Sequence, residues 1–472
     1  MIRVVGAGLA GSEAAWQIAC AGVPVKLYEM RPQKMTMVHK SGNCAELVCS
    51  NSLRGVALHN AVGLLKEELR LLGSLIMQAA DATQVPAGGA LAVDRDAFSD
   101  FISEKIRHHP LISYEVTEIM GVPSASAGEP VVIASGPLTS KVLANSIRAF
   151  AGEKMLSFYD AISPIISHDS IDYSVIFRQS RYNKGGDDYL NIPLSRQQYY
   201  DFIDELKRAQ RVVLHDGEEI GSLEEFECPD ILDIRPFEGC MPIEDMVDRG
   251  DDTLAFGPMK PVGLCDPRTN GCPYAVVQLR QDDFKGTLWS MVGFQTKLTY
   301  GEQVRVFRSL PGLEKAEFVR LGSVHRNTFL NSPLCLNNTF EFRNMPGLFF
   351  GGQITGVEGY VESTASGLLA GINAMRLFKG MELISFSSDT CIGALANYVS
   401  DAQRKDFQPM NASYGLINPY SCDDVSDGSS AVNSESATRC KRKLGKKERR
   451  LLQASKALLQ VRQTVESLVV QK

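Results

Sequence analysis

The stretch "IRVVGAGLAGSEAAWQIACAGVPVKLYE", Ile2 to Glu29, decides the fold. A short apolar run ends at Val4 and Val5 and stops at a glycine turn. Ala14, Ala15, Ile18 and Ala19 then recur at helical spacing, and VPVKLYE reads as a second, buried strand. Strand, turn, helix, strand is the unit of a parallel sheet. The turn itself matches GxGxxG at Gly6, Gly8 and Gly11, and an acid, Glu29, closes the second strand. This context turns a weak motif into a dinucleotide-binding fingerprint. Gly6 makes the tight turn, Gly8 admits a pyrophosphate to the backbone, and Gly11 lets helix and strand pack closely. The cradle is thus Gly6, Ala7, Gly8, Leu9, Ala10 and Gly11 at a helix N-terminus. Glu29 is placed to accept from the adenosine ribose hydroxyls. The bland alternative is an αβ turn with no ligand.

Working outward, NAVGLLKEELRLLGSLIMQAAD reads as one amphipathic helix and EPVVIASGP as another buried strand. From about Tyr173 to Phe329 the rhythm changes to short strands, aromatics and Pro/Gly turns. Strand, glycine turn and helix then return in GLFFGGQITGVEGYVESTASGLLAGINAMRLF. The expected fold is α/β: a Rossmann-like, two-segment, glutathione-reductase-like FAD-binding domain interrupted by an α+β insertion domain. The expected boundaries are 1–172 and 331–420 for the two FAD-binding segments and 173–330 for the insertion. A Ser-rich flexible linker is expected over 421–440 and a basic C-terminal helix over 441–472. The second glycine segment selects FAD over NAD, with Gly352 and Gln353 close to the flavin and the helix after them directed at its ring.

Bulk properties narrow the function. The chain has 472 residues, 44% hydrophobic, with a formal net charge of −6. That balance argues against indiscriminate nucleic-acid binding, although RCKRKLGKKERR (Arg439–Arg450) is locally basic. The opening MIRVVGAG is read as neither a signal nor a transit peptide, and no apolar run suits a membrane span, so a cytoplasmic location is expected. The eleven cysteines form no CxxC pair and are expected to be reduced. Cys265 and Cys272 have the wrong spacing for common zinc sites, so no metal is expected. Cys49, in AELVCSNSLRG, and Cys240, in RPFEGCMPIE, stand apart because both lie in polar, turn-like stretches. A lone cysteine is more often an inert core residue.

The blocks GAGLAGSEAAWQIA, AELVCSNSLR, NAVGLLKEELRLLG, DATQVPAGGALAVDR, FEGCMPIE, LAFGPMKPVGL, PYAVVQLRQD, VGFQTKL, HRNTF and GQITGVEGYVES, in this order, closely resemble the folate- and FAD-dependent tRNA (uracil-5-)-methyltransferase family, TrmFO. The resemblance runs from Met1 to about Pro419. It implies methylation of the T-loop uridine 54 of tRNA to 5-methyluridine. The carbon would come from 5,10-methylenetetrahydrofolate, hydride from reduced FAD, and electrons from NADH or NADPH. It also implies that Cys49 and Cys240 serve the site. One thiolate would add to uracil C6, and a second group would remove the C5 proton; which cysteine attacks stays open. The implied partners are tRNA and folate, with no membrane and no obligate protein partner.

Lesser candidates are Arg343, His325, Arg326 and Asn327, for folate, phosphate or flavin. Lys260, Arg268 and Arg280 are candidates for an RNA path, and the basic tail for RNA backbone. Three departures from the family pattern stand out: Cys44 in SGNC, ASGP, and FFGG. Cys44 adds a third thiol near Cys49.

The nearest alternative is the related flavoprotein that modifies the tRNA wobble uridine. It shares the glycine motifs but carries a long C-terminal helical domain that this chain is expected to be too short to hold. A small-metabolite flavin oxidoreductase is disfavoured by the paired cysteine blocks. A non-catalytic RNA-binding flavoprotein would lack turnover.

Overall fold

The structure, a computed structural model, describes residues 1–36, 38–151, 156–212, 241–269, 271–404, 407–419 and 445–470. The parallel sheet forms as the alternation of strand and helix dictates. Its five strands run in the order Leu348–Phe350, Val131–Ile133, Ile2–Val5, Val25–Glu29, Ile112–Val116, all parallel. Val4 lies between Leu27 and Val132, and Val132 pairs in turn with Phe349. Strands from near residue 1 and near residue 350 therefore share one sheet, and the intervening chain returns to its edge.

Two helices cross on this sheet. Leu9–Cys20 buries Ala10, Ala14, Ala15 and Ile18 against the late helix Tyr360–Phe378. The crossing is close because a side chain on Gly367 would run into the Ala10 backbone, and one on Gly371 into that of Ala14.

A six-stranded antiparallel sheet forms the second core. Its order is Phe177–Arg178, Tyr189–Leu194, Ala275–Gln281, Leu288–Met291, Ile165–Ser167, Phe318–Arg320. The helix Arg196–Arg208 packs Tyr199, Phe202, Ile203 and Leu206 into a core shared with Trp289, Phe294 and Phe307. A two-stranded ribbon, Leu156–Ala161 with Val324–Phe329, links the two halves. A three-stranded hairpin sheet, Ser52–Gly55, Ala90–Val93 and Gln84–Val85, carries the strand after Cys49.

One helix expected from the sequence is two. Ala61–Leu71 stops and Leu75–Ala82 starts anew, because Gly73 takes φ +72° and Ser74 caps the second helix by accepting from Met77 N–H at 3.2 Å. The apolar period continues across the break, which hid it. The terminal helix Lys446–Val470 buries Ala454, Ala457 and Val461 and packs on Ala61–Leu71. The stretch expected as a linker, 421–440, lies outside the described residues. Among the described residues no helix is long and apolar enough to cross a membrane.

Candidate active site

A cavity opens where the first glycine turn, the end of the second strand and the start of the late helix meet. It encloses about 1020 Å³ of space between atoms, open solvent included. Gly6, Gly8, Leu9 and Ala10 line one wall, Glu29 the rim, and Gly352, Gln353, Tyr360 and Ser363 the far wall. Seven of the nine residues expected at a cofactor thus face one space. Ala7 and Gly11 stand behind it. Gly11 packs so tightly that a Cβ there would overlap the carbonyl oxygen of Gly6, whereas a Cβ at Gly8 would meet no protein atom within 4 Å and would point into open space. A wall of bare backbone at a helix N-terminus suits a pyrophosphate.

Glu29 is more heavily engaged than its sequence role required. Oε1 accepts from Arg31 N–H at 3.0 Å and Arg31 Nε at 2.9 Å. Oε2 accepts from Ala7 N–H at 2.8 Å and Arg31 Nη2 at 3.3 Å. A ribose hydroxyl would share an oxygen already in use. Burial pushes the Glu29 carboxyl up, but the hydrogen bonds and charge of Arg31 and the two backbone N–H groups outweigh it and hold the group below its ordinary value. Arg31, 2% exposed, also reaches Glu46 at 3.5 Å. His39 lines the same cavity. Burial, then the charge of Arg31, pull its imidazole down to about 4, so it is neutral at pH 7.

Cys49 sits at the junction of the two halves, where side chains from separate elements hold it. Its N–H donates to the Tyr360 hydroxyl at 2.8 Å, and the Ser50 N–H donates to the same oxygen at 3.2 Å. Tyr360 is the first residue of the late helix and lines the cavity, so the thiol loop is tied to the cofactor wall. Arg95, at the start of helix Arg95–His108, donates to the Leu47 carbonyl at 2.7 Å, the Cys49 carbonyl at 3.4 Å and Asp282 at 2.8 Å. Charge on Cys49 is felt by Arg95, Arg320 and Tyr360 alike. Cys49 is half-buried, with the positive charges of Arg95 and Arg320 acting on it.

The lesser candidates fall in different places, and Arg280 and Arg343 need correction. Arg280 does not line an open RNA path. It is 8% exposed and holds the Cys49 loop, donating from Nε to Asn51 at 2.9 Å and from Nη2 to Ser50 Oγ at 2.8 Å. Arg343 turns away from the cavity and donates to the Ser400 carbonyl at 2.8 Å. Arg268 pairs with Asp266 at 2.7 Å, and Lys260 is exposed. Cys44, the extra thiol near Cys49 in sequence, is fully buried in the core, and burial pushes its thiol up. Arg450 of the basic run donates to the His59 carbonyl at 3.2 Å and lies over Tyr414. Asn327 is 1% exposed, and among the described residues neither its Oδ1 nor its Nδ2 has a partner. Cys240 and the side chains of His325 and Arg326 lie outside the described residues.

Sequence reasoning assigned no role to Tyr360, Arg95, Asp282, Arg320 or His39. The first three stand in GVEGYVES, LAVDR and QLRQD, so the signal was a set of polar residues inside unusual blocks.

Known proteins resemble this chain over most of its length. The family model for glucose inhibited division protein A matches residues 1–382. A protein named methylenetetrahydrofolate–tRNA-(uracil-5-)-methyltransferase TrmFO, from Geotalea uraniireducens, is 58% identical over 417 residues, 88% of this chain and 92% of that protein. The protein of the same name from Pelotomaculum thermopropionicum is 56% identical over 419 residues, 89% of this chain and 92% of its own. Among solved structures, Aquifex aeolicus GidA aligns with a TM-score of 0.65 at 17% identity, over 88% of this chain and 70% of that one, a likeness of fold. On the strength of the family model and of these two relatives, the chain belongs to the glucose inhibited division protein A family and, more closely, to the TrmFO methyltransferases.

Proposed function

We propose that this chain methylates uracil C5 of the T-loop uridine 54 of tRNA, with 5,10-methylenetetrahydrofolate as carbon donor. The observation that carries the reading is the junction. A thiol, Cys49, is tied through Tyr360 to a cavity lined by both glycine segments. The identity to proteins named for this reaction supports it.

The residues divide the work. Gly6, Gly8, Leu9 and Ala10 offer backbone to a pyrophosphate, Glu29 and Arg31 form the rim at the ribose, and Gly352, Gln353 and the start of the late helix face the ring. A two-segment, glutathione-reductase-like arrangement fits a sheet drawn from both ends of the chain, with the insertion beginning before residue 173, since Ile165–Ser167 pairs within the antiparallel sheet. Bound FAD, reduced by NADH or NADPH, supplies the hydride that converts the transferred methylene to methyl. Uracil C5 is a poor nucleophile, and addition of a thiolate to C6 makes it carbanion-like. Cys49 and Cys240 share the two tasks of adding at C6 and taking the C5 proton. Arg95 and Arg320 place positive charge by Cys49, which favours a thiolate there. Loss of the C5 proton expels tetrahydrofolate and leaves an exocyclic methylene at C5; hydride addition to that methylene, with departure of the cysteine sulfur from C6, restores the C5=C6 double bond with the new methyl in place. The setting is that of a cytoplasmic enzyme.

Nucleoside analysis of unmodified tRNA incubated with the flavoprotein, methylenetetrahydrofolate and NADPH tests the reading. 5-Methyluridine should accumulate in the T-loop. Yellow protein that leaves every tRNA uridine unchanged would reject it.

A further inference from the structure

The strand that follows Cys49 carries a guanidinium whose placement the mechanism above does not use. Arg54 lies in Ser52–Gly55, which pairs with Ala90–Val93 through a register shift. Bulges of this kind re-aim side chains beside active sites. Arg54 adopts φ +64°, a left-handed backbone that non-glycine residues rarely occupy, and such strain collects at functional sites.

Three groups hold it there. The Arg54 N–H donates to Ser52 Oγ at 3.1 Å. Lys66, fully buried in helix Ala61–Leu71, donates to the carbonyls on either side, Leu53 at 2.8 Å and Gly55 at 2.9 Å. Nη2 of Arg54 donates to both carboxylate oxygens of Glu362, whose side chain is fully buried. Glu362 lies two residues after Tyr360 in the same first helical turn, so one turn positions both Cys49 and Arg54. Gly359, at φ +112°, permits this, because a Cβ there would strike Glu362 and come within 2.9 Å of Arg54 Nη2.

The arrangement leaves the Arg54 side chain 38% exposed. Among the described residues, its Nε and Nη1 have no acceptor. A guanidinium clamped on one nitrogen, with its other edge open to water, presents the fork that binds a phosphate.

We propose that Arg54 anchors a backbone phosphate of the RNA strand that carries the target uridine. The proposal rests on the tRNA reading above. A base that reaches the sulfur of Cys49 brings its own phosphate and its neighbours' to the solvent side. Arg54 follows Cys49 by five residues of chain, at most ~17 Å at the rise of an extended strand.

The test is the salt dependence of tRNA binding by flavin-loaded wild type and Arg54→Gln. Loss of one phosphate contact should flatten the slope of log affinity against log salt by about 0.7–0.9 and leave the KM for methylenetetrahydrofolate unchanged. An unchanged slope overturns the proposal. So does a raised folate KM at constant slope, which would assign the guanidinium to a folate carboxylate. Arg54→Lys should keep the slope while binding more weakly. Phenylglyoxal labelling of the wild type provides an arm that needs no variant: tRNA, but not folate, should slow modification of Arg54, and labelling indifferent to tRNA overturns the assignment. Wild type that binds no tRNA at all would instead remove the functional reading beneath it, a result distinct from a variant that binds as the wild type does.

Discussion

The two walls of the site are built in opposite ways. The glycine turn at Gly6–Gly11 is shaped by missing side chains: Gly11 touches the Gly6 carbonyl, and the late helix lies on the first through Gly367. The Cys49 loop is shaped by side chains that arrive from far away in sequence, namely Tyr360, Arg95 and Arg280. The first wall is rigid because nothing larger fits. The second is held by directional hydrogen bonds that can be removed one at a time. Substitutions in the first should therefore act on folding and cofactor retention, and substitutions in the second on turnover.

The largest effect is expected at the thiols. Cys49→Ala and Cys240→Ala should each lower methylation by at least ~10³-fold, as removal of a covalent nucleophile or its proton acceptor does, with FAD still bound. Single-turnover assays with purified holoprotein measure this. A tRNA bearing 5-fluorouridine should trap an adduct at one of these two cysteines, since fluorine does not leave as a proton does. An adduct on Cys44 would undo the distinction between core and site thiols.

Gly11→Val comes next. Overlap with the Gly6 carbonyl should cost about 3 kcal/mol or more and release FAD, read by denaturant melts and by flavin absorbance. A yellow, stable Gly11→Val protein would show that the first wall yields.

Glu29→Gln should cost on the order of 2–3 kcal/mol at neutral pH, because Arg31 stays buried with its nearer carboxylate gone, keeping the Ser41 carbonyl at 3.3 Å and Glu46 at 3.5 Å. The pH dependence has a defined sign. The Glu29 carboxyl sits below its ordinary 4.5 in the folded chain, so its contribution is complete above about 4.5 and is lost as pH falls through the lower folded value. The wild type should show this acid limb, and Glu29→Gln should lack it.

Tyr360→Phe removes the acceptor for two N–H groups but little volume. Turnover should fall by ~10-fold, in keeping with an orphaned donor of about 1–3 kcal/mol, while flavin content holds. Loss of flavin without loss of turnover per bound flavin would place Tyr360 in the first wall instead. Cys20→Ala, on the outer end of the first helix, should change stability by about 0.5 kcal/mol or less.

How legible each wall was in the sequence follows from the same contrast. The parallel unit was readable because Gly6, Gly8, Gly11 and Glu29 act within one short stretch, where spacing reports contact. The break at Gly73 and Ser74 was not, since the apolar period runs through it and the cap depends on a single hydroxyl. Arg280 looked like a surface cation because Gln278 and Arg280 alternate with Val277 and Leu279 as a half-exposed strand would. In the structure that strand is buried on both faces, and its polar face supports the Cys49 loop. Tyr360 follows Cys49 by more than three hundred residues, so no local pattern announces their bond.

The most direct test of the central claim is isotopic. Methylenetetrahydrofolate labelled at its one-carbon unit should be incubated with the flavoprotein, NADPH and unmodified tRNA, alongside a parallel mixture carrying labelled S-adenosylmethionine, and the nucleosides analysed by mass. The account predicts labelled 5-methyluridine from the folate alone, and none with Cys49→Ala. Label entering uracil C5 only from S-adenosylmethionine, or entering equally well with Cys49→Ala, would contradict it.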